Sequence, residues 1–352
     1  DRGSIKTLSF PATVEFIPFI DIIDNYFENL EEITVDEENQ YYKSVDGVLY
    51  NHDLTELIAV PRAYKGTLNL PETVTNLDSL KIPYAGKLTG ITFSENADLY
   101  FDGYVLYNKA QTIAIKGINL KGDYVMPETV EEIGKCAFAD LDELKSVKVS
   151  SKVSEIAYGA FFDSDALESV ELPENLQAVG FTSFEGCDSL KSIDLNEGLT
   201  RIEYRAFYNS GLESVSLPSS LTDDMHQLVF ANCKNLKSVD LGTGLTIVSE
   251  GAFAKCTALE EINFPANITE IDDNAFMGTG IKTLTIPDNV IYVKQNAFSD
   301  CDSLKSVVVG DGTETLRAAF TDCDNLETVY LGKSITDMEY CFTGCRSLKK
   351  IE

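Results

Sequence analysis

Two histidines, His52 and His226, carry all the imidazole chemistry of the chain. They fall in different units of the repeat described below, which excludes a histidine-based triad and a multi-histidine metal site. Paired carboxylates need no histidine, and Asp and Glu are abundant, but acid–base catalysis requires a cleft that drives two carboxyl pKa values apart. A surface of stacked repeats seldom offers one. The carboxylates are therefore expected to be solvated, and no catalytic residue is assigned, since site geometry and not acid count decides.

Cys187, Cys233, Cys256, Cys301, Cys323 and Cys345 each stand three residues after a recurring Phe, where other units place Leu141, Ser164, Ser210 and Thr279. A position that accepts Leu, Ser and Thr calls for a small buried side chain, not a thiol, and free Cys is commonly buried as a small hydrophobe. Stacked units about 5 Å apart would bring Cys233 to Cys256, or Cys301 to Cys323, within disulfide Cα distance; free buried thiols are the favoured reading. Cys341 and Cys345 have ligand-like spacing but no third partner nearby, so neither a metal nor a cofactor site is expected.

One acidic feature repeats. Asp140 and Asp142, Asp163 and Asp165, Asp300 and Asp302, and Asp322 and Asp324 lie two and four residues after the Phe. Stacked, they would form oxygen columns of a kind that can hold calcium. Against this, an Asp in such a loop satisfies its own turn backbone, and Lys234, Lys255 and Arg346 occupy the same columns and would oppose a cation.

The elements that position these residues come from the repeat itself. Phe recurs at 138, 161, 184, 207, 230, 253, 276, 298, 320 and 342, spaced by 23 residues six times and then by 22 three times. The preceding residue is small in most units (Ala137, Ala160, Ser183, Ala206, Ala252), with Val229 the bulky exception. Five or six residues on comes Leu or Ile, then an alternating apolar pair such as Val170 and Leu172, which is the period of a strand. A turn on Pro or Gly follows, as at Pro173, Pro218, Pro265, Pro287, Gly242, Gly310 and Gly332. A second apolar pair, such as Leu176 and Val179 or Ile268 and Ile271, leads through a short extended or helical return to the next Phe. No unit can bury this ring of apolar residues alone, so neighbours must stack into a continuous core.

The first third follows the same grammar with interruptions. Leu8, Phe10, Pro11, Val14 and Ile17 form a partial unit; Phe27, Leu30, Ile33 and Val35 belong to the next. Two related inserts, Asp46 to Asn51 and Asp102 to Asn108, read as hairpins with Asp-Gly and Asn as turn formers. One elongated domain spanning 1–352 is expected, irregular over 1–130 and regular in units of 22–23 residues over 131–352, with no linker.

The unit Leu-x-Ser-Val-x-Leu-Pro-x-x-Leu-x-x-Val-x-x-x-x-Phe-x-x-Cys, as it stands from Leu167 to Cys187, resembles the BspA-like leucine-rich repeats of bacterial surface proteins. The Asp-Gly-Val-Leu-Tyr-Asn insert resembles that family too. The resemblance runs over almost the whole chain, with departures at Ser150, Asn196 and Thr313. It implies a strand-rich α/β right-handed solenoid with a parallel sheet on its concave side and turns or helical segments on the return. It also implies an extracellular or cell-surface protein with adhesive roles.

Composition narrows the partners. With 57 acidic against 28 basic residues, the formal net charge is −29, which repels phosphate backbones and anionic membranes; nucleic acid is excluded as a partner class. No stretch of eighteen apolar residues exists, and Asp1 to Lys6 shows neither a basic n-region nor an apolar h-region, so membrane insertion is not expected and any secretion signal would precede this numbering.

In the strand pattern the residues flanking the central Val face outward. One column reads Ser146, Ser169, Ser192, Ser214, Ser238, Glu261, Thr283, Ser306 and Thr328. The other reads Lys148, Glu171, Asp194, Ser216, Asp240, Asn263, Thr285, Val308 and Tyr330, turning from charged to neutral and apolar. Hydroxyl columns are also good strand formers that pack flat, yet this is the broad platform that solenoids use for ligands. Ser238, Asp240, Asn263, Thr283, Thr285, Val308, Thr328 and Tyr330 are the candidate ligand-binding set. The leading expectation is a non-enzymatic surface scaffold or adhesin that engages a host or microbial protein. A glycan-binding accessory protein is the second reading, with Tyr330 and Tyr292 as its exposed aromatics in a chain without Trp, and a structural stalk is the third.

Overall fold

The computed structural model describes residues 4–17, 27–74, 82, 86–95, 97–222 and 225–352; the polar start at 1–3 lies outside them. The chain winds as a β-solenoid of about 14 turns. Each coil has three sides. The Leu-rich strand makes the first, and its neighbours pair parallel: Leu144–Lys148 pairs with Ser169–Glu171, and Thr283–Ile286 with Ser306–Val309, which pairs with Thr328–Tyr330. Two-residue strands make the second, the return sheet, in which Glu155–Ile156, Ala178–Val179 and Arg201–Ile202 lie parallel in register.

The third side carries the Phe. It contains no assigned strand, but alternate backbone N–H groups donate to the next coil, as Cys136 to Tyr158, Phe138 to Ala160 and Asp140 to Phe162 at 2.8–2.9 Å. Residues of positive φ flank each Phe, two before and two after: Cys136 and Asp140 at +53° and +58°, Arg205 and Asn209 at +56° and +53°, Asn274 and Gly278 at +57° and +69°. These left-handed residues bend the chain around the ring.

The helical return segments expected from the sequence are absent: no α-helix occurs among the described residues. The physical reason is the spacing of breaks. Two left-handed residues per coil, and the turn on Pro or Gly between the sheets, leave no run long enough for consecutive i to i−4 hydrogen bonds, whereas extended backbone finds partners in the coils on either side.

Phe138 to Phe320 are all fully buried and stack from coil to coil with centroids 5.1–5.5 Å apart and planes within 14°. Phe342 continues the stack at 5.9 Å. One apolar cluster runs around this spine from Val105 to Cys341, with Phe342, Cys345 and Leu348 packed against its end.

Thr7–Phe10 pairs parallel with Glu32–Val35, bringing Leu8 beside Ile33 and Phe10 beside Val35. Both inserts are antiparallel meanders. Tyr42–Val45 and Val48–Asn51 are joined by Asp46 and Gly47, both at positive φ, the two-residue turn that Asp-Gly favours; Leu57–Ala59 is the third strand. In the second, Leu99–Phe101, Val105–Asn108 and Ile113–Gly117 follow the same order. Ile113–Gly117 also pairs parallel with Glu132–Ile133, which ties the insert to the return sheet. Asn51 Oδ1 accepts from the N–H groups of Thr55 and Glu56, and Asn108 Oδ1 from Thr112 and Ile113, so the Asn ending each insert motif holds the same turn.

Candidate functional site

The outward columns of the Leu-strand sheet are set by pairing register. Ser214 sits beside Ser238 and Ser216 beside Asp240; Thr283, Ser306 and Thr328 form one row, and Thr285, Val308 and Tyr330 the next. Ser238, Asp240, Asn263, Thr283, Thr285, Val308 and Tyr330 are exposed and Thr328 half-buried, while Leu284, Val307 and Val329 between them are buried. Of the eight candidates, Thr283, Thr285, Val308, Thr328 and Tyr330 thus share one four-stranded sheet, while Ser238 and Asp240 lie in a separate two-stranded sheet and Asn263 lies outside an assigned strand. They line neither of the two clefts described below. Such a platform offers hydroxyls, an amide, a carboxylate and an apolar end at Val308 and Tyr330, with Lys350 Nζ 5.6 Å from the Tyr330 ring centre. Along one edge runs a row of ion pairs between coils, Lys145 with Glu168, Lys237 with Glu213, Lys282 with Glu260 and Lys349 with Glu327, at 2.5–3.6 Å. These pairs are exposed, so each contributes at most about 1 kcal/mol.

The Phe turn explains the first Asp of each repeated acidic pair. Asp140, Asp163, Asp300 and Asp322 all have φ between +51° and +58°, and the same place in other coils holds Gly186, Asn209, Asn232, Gly278 and Gly344. Gly, Asn and Asp are the residues that tolerate this conformation, so backbone geometry accounts for the column. The residue after it is a donor. Ser164 Oγ donates to Phe138 O at 2.7 Å, and the thiols of Cys187, Cys233, Cys256, Cys301, Cys323 and Cys345 donate to the carbonyl of the preceding spine Phe at 3.0–3.3 Å. All eight cysteines are free.

A charged cluster that the sequence pattern does not reveal joins the irregular third to the regular coils. Arg62 donates to Asp140 at 2.5 Å and to Asp163 at 2.9 Å, over a cleft of about 360 Å³ also lined by Glu28, Gly86 and Lys87. Lys116 is buried beneath and donates to the carbonyls of Cys136 and Ala139 at 3.1 Å. Burial pushes the Asp140 carboxyl up to about 6 against the pull of Arg62, and lowers Lys116 to about 8. The contact spans 78 and 101 residues, which no repeat spacing encodes.

A second arrangement lies on the return side. Tyr158 and Phe181 are exposed and Tyr204 half-buried, at the same place in three successive coils. The Phe181 ring meets His226 edge-on at 6.1 Å. Glu203 lies between Arg201 Nε at 2.7 Å and His226 Nδ1 at 3.2 Å. Tyr204 and His226 border a cleft of about 460 Å³ that also exposes Gln227, Ser249, Glu250 and Asp272. Ser249 Oγ donates to the Met225 carbonyl, so its hydroxyl proton is held by the backbone. The 23-residue recurrence of Tyr158, Phe181 and Tyr204 was visible in the sequence as an aromatic three places before the spine Phe.

Fold and surface together define a parallel β-solenoid of leucine-rich repeats. The BspA-type leucine-rich repeat model matches six copies over residues 114–237 and 223–349, and the chain belongs to that family. No curated protein is matched. Among solved structures, a leucine-rich repeat protein from Bacteroides ovatus is 23% identical, with 72% of this chain and 86% of that chain covered and a TM-score of 0.49. A leucine-rich cell surface protein from Faecalibacterium prausnitzii is 19% identical, covering 88% and 94%, with a TM-score of 0.41. The leucine-rich repeat protein of T. pallidum is 21% identical, covering 67% and 82%, with a TM-score of 0.32. Among the described residues no helix is long and apolar enough to cross a membrane.

Proposed function

We propose that the chain is a non-enzymatic binding scaffold, secreted or held at the cell surface, that engages a protein partner through the Leu-strand face. The carrying observation is the register of that face: Thr285, Val308 and Tyr330 form one continuous exposed row beside Thr283, Ser306 and Thr328. A rigid row graded from polar to apolar presents an aromatic anchor with hydrogen-bonding neighbours, the composition that interface centres favour. Ser238, Asp240 and Asn263 are the polar residues of the same repeat positions in the two preceding coils. The His226–Glu203 pair, with Ser249 committed to a backbone carbonyl, supports a binding rather than a catalytic reading. The surface location follows from the resemblance of the repeat. The acidic balance disfavours nucleic acid and anionic membranes as partners.

The test is a binding series of the isolated chain against extracellular-matrix and microbial surface proteins, repeated with Val308→Asp and Tyr330→Ala. A partner whose affinity falls at least tenfold in both variants, with unchanged unfolding midpoints, supports the proposal. Partners that bind the variants as well as the parent chain would place the interface elsewhere.

A further inference from the structure

The return side carries aromatic surface that the core does not use and that the Leu-strand reading does not require. We propose that Tyr158, Phe181 and Tyr204, with the cleft beyond Tyr204, form a binding strip for a neutral polysaccharide. Every Phe of the spine is consumed by stacking in the interior, yet Phe181 points outward with 42% of its surface exposed and Tyr158 with 41%. Leaving this apolar area in water forfeits the stabilisation that burial would bring.

Backbone pairing spaces the rings. Gly159 N donates to Phe181 O at 2.8 Å and Thr182 N to Tyr204 O at 3.1 Å, so the three side chains leave adjacent coils one rise apart. Beneath them, Glu203 is held between Arg201 and His226, with Oε1 2.7 Å from Arg201 Nε and Oε2 3.2 Å from His226 Nδ1. Beyond them, His226, Gln227, Ser249, Glu250 and Asp272 line the cleft with side-chain donors and acceptors.

A sugar ring fits this combination. Its C–H face packs on an aromatic ring, and its hydroxyls, in the ring plane, both donate and accept. A chain of such rings repeats both features, as the coils do. An extended Pro-rich peptide also stacks on aromatics, but it carries few donors and would leave the acids and amides of the cleft unanswered. Charge selects the neutral class: a net charge of −29, with Glu250 and Asp272 at the cleft, repels uronate and sulfate. Because the strip lies on a different side of the coil from the proposed protein-binding row, either reading stands or falls without the other.

Affinity electrophoresis of the full chain through gels holding laminarin, xylan, mannan or starch tests the proposal, with heparin and a polyproline peptide as comparison probes. The parent chain should be retarded by at least one neutral polysaccharide. Phe181→Ala combined with Tyr204→Ala should weaken that retention at least tenfold, with an unchanged unfolding midpoint, and Tyr330→Ala should behave as the parent. Tyr158→Ala serves the same purpose if the double variant does not fold. Retention by none of the four, undiminished retention of the variants, or preference for heparin or the polyproline peptide would overturn it.

Discussion

Phe184 and Phe207 lie 23 residues apart in sequence, yet their rings stack with centroids 5.2 Å apart and planes within 1°. The same relationship repeats down the spine, so each ring is a wall of the next coil's core. Phe253 stacks on Phe230 at 5.5 Å and on Phe276 at 5.4 Å. Truncating it leaves a cavity between two coils, and Phe253→Ala is expected to cost about 3–5 kcal/mol. Since a solenoid is stabilised through nearest-neighbour interfaces, the loss should produce a partly unfolded state with one end intact. Tyr330→Ala, on the exposed row, should change stability by less than about 0.5 kcal/mol. Denaturant unfolding of the two variants side by side checks this; equal small effects would reverse the inside and outside assignments.

The thiols after the spine are replaceable by a hydroxyl. Cys256 Sγ donates to Phe230 O at 3.1 Å, and Ser164 Oγ makes the equivalent bond to Phe138 O at 2.7 Å. Cys256→Ser should therefore stay within about 1 kcal/mol of the parent, whereas Cys256→Ala, which leaves the carbonyl without its donor, should be the worse of the two. Unfolding midpoints rank them. Mass spectrometry should find the thiols reduced, and stoichiometric disulfides would contradict this account.

Lys255 occupies the left-handed position after its Phe with φ +61°, where other coils use Gly, Asn or Asp. A long side chain there bears conformational strain of about 1 kcal/mol. Lys255→Asn should raise stability by roughly 0.5–1 kcal/mol, and a midpoint at or below that of the parent would show that packing of the Lys stem outweighs the backbone term.

Stability should depend on pH through the Arg62 cluster. Burial raises the Asp140 carboxyl to about 6 and the Glu185 carboxyl to about 7, with Arg62 and Arg205 respectively opposing the rise. Both folded values lie above the ordinary carboxylate range, so between about 4 and 7 the folded chain binds more protons than the unfolded one, and these groups add stability as the pH falls through that window. Asp140→Asn should flatten the dependence. Arg62→Ala should cost about 1–3 kcal/mol at neutral pH by leaving the carboxylates unpaired, and less near pH 5. Unfolding curves from pH 5 to 8 for the three proteins decide it; a loss in Arg62→Ala that grows toward pH 5 would contradict it.

Periodicity determined the stack, the Phe spine and the outward direction of the strand residues, and the Asp-Gly and Asn turn formers determined the hairpin inserts. Each depends on residues one repeat apart or adjacent in sequence: Thr285 and Val308 share a row because identical coils pair in register. The tertiary structure decided what the repeat does not encode. The return segment was undecided between extended and helical because Leu176 and Val179 suit either; the left-handed residues around Phe and the hydrogen-bonding neighbours above and below selected strand. Arg62 meets Asp140 and Asp163 only because the irregular third is brought against the regular coils, across 78 and 101 residues. The outward direction of Phe181 was hidden for a related reason. A Phe reads as core until the bend at the next residue is known, and Thr182 takes φ +50° there, which composition does not report.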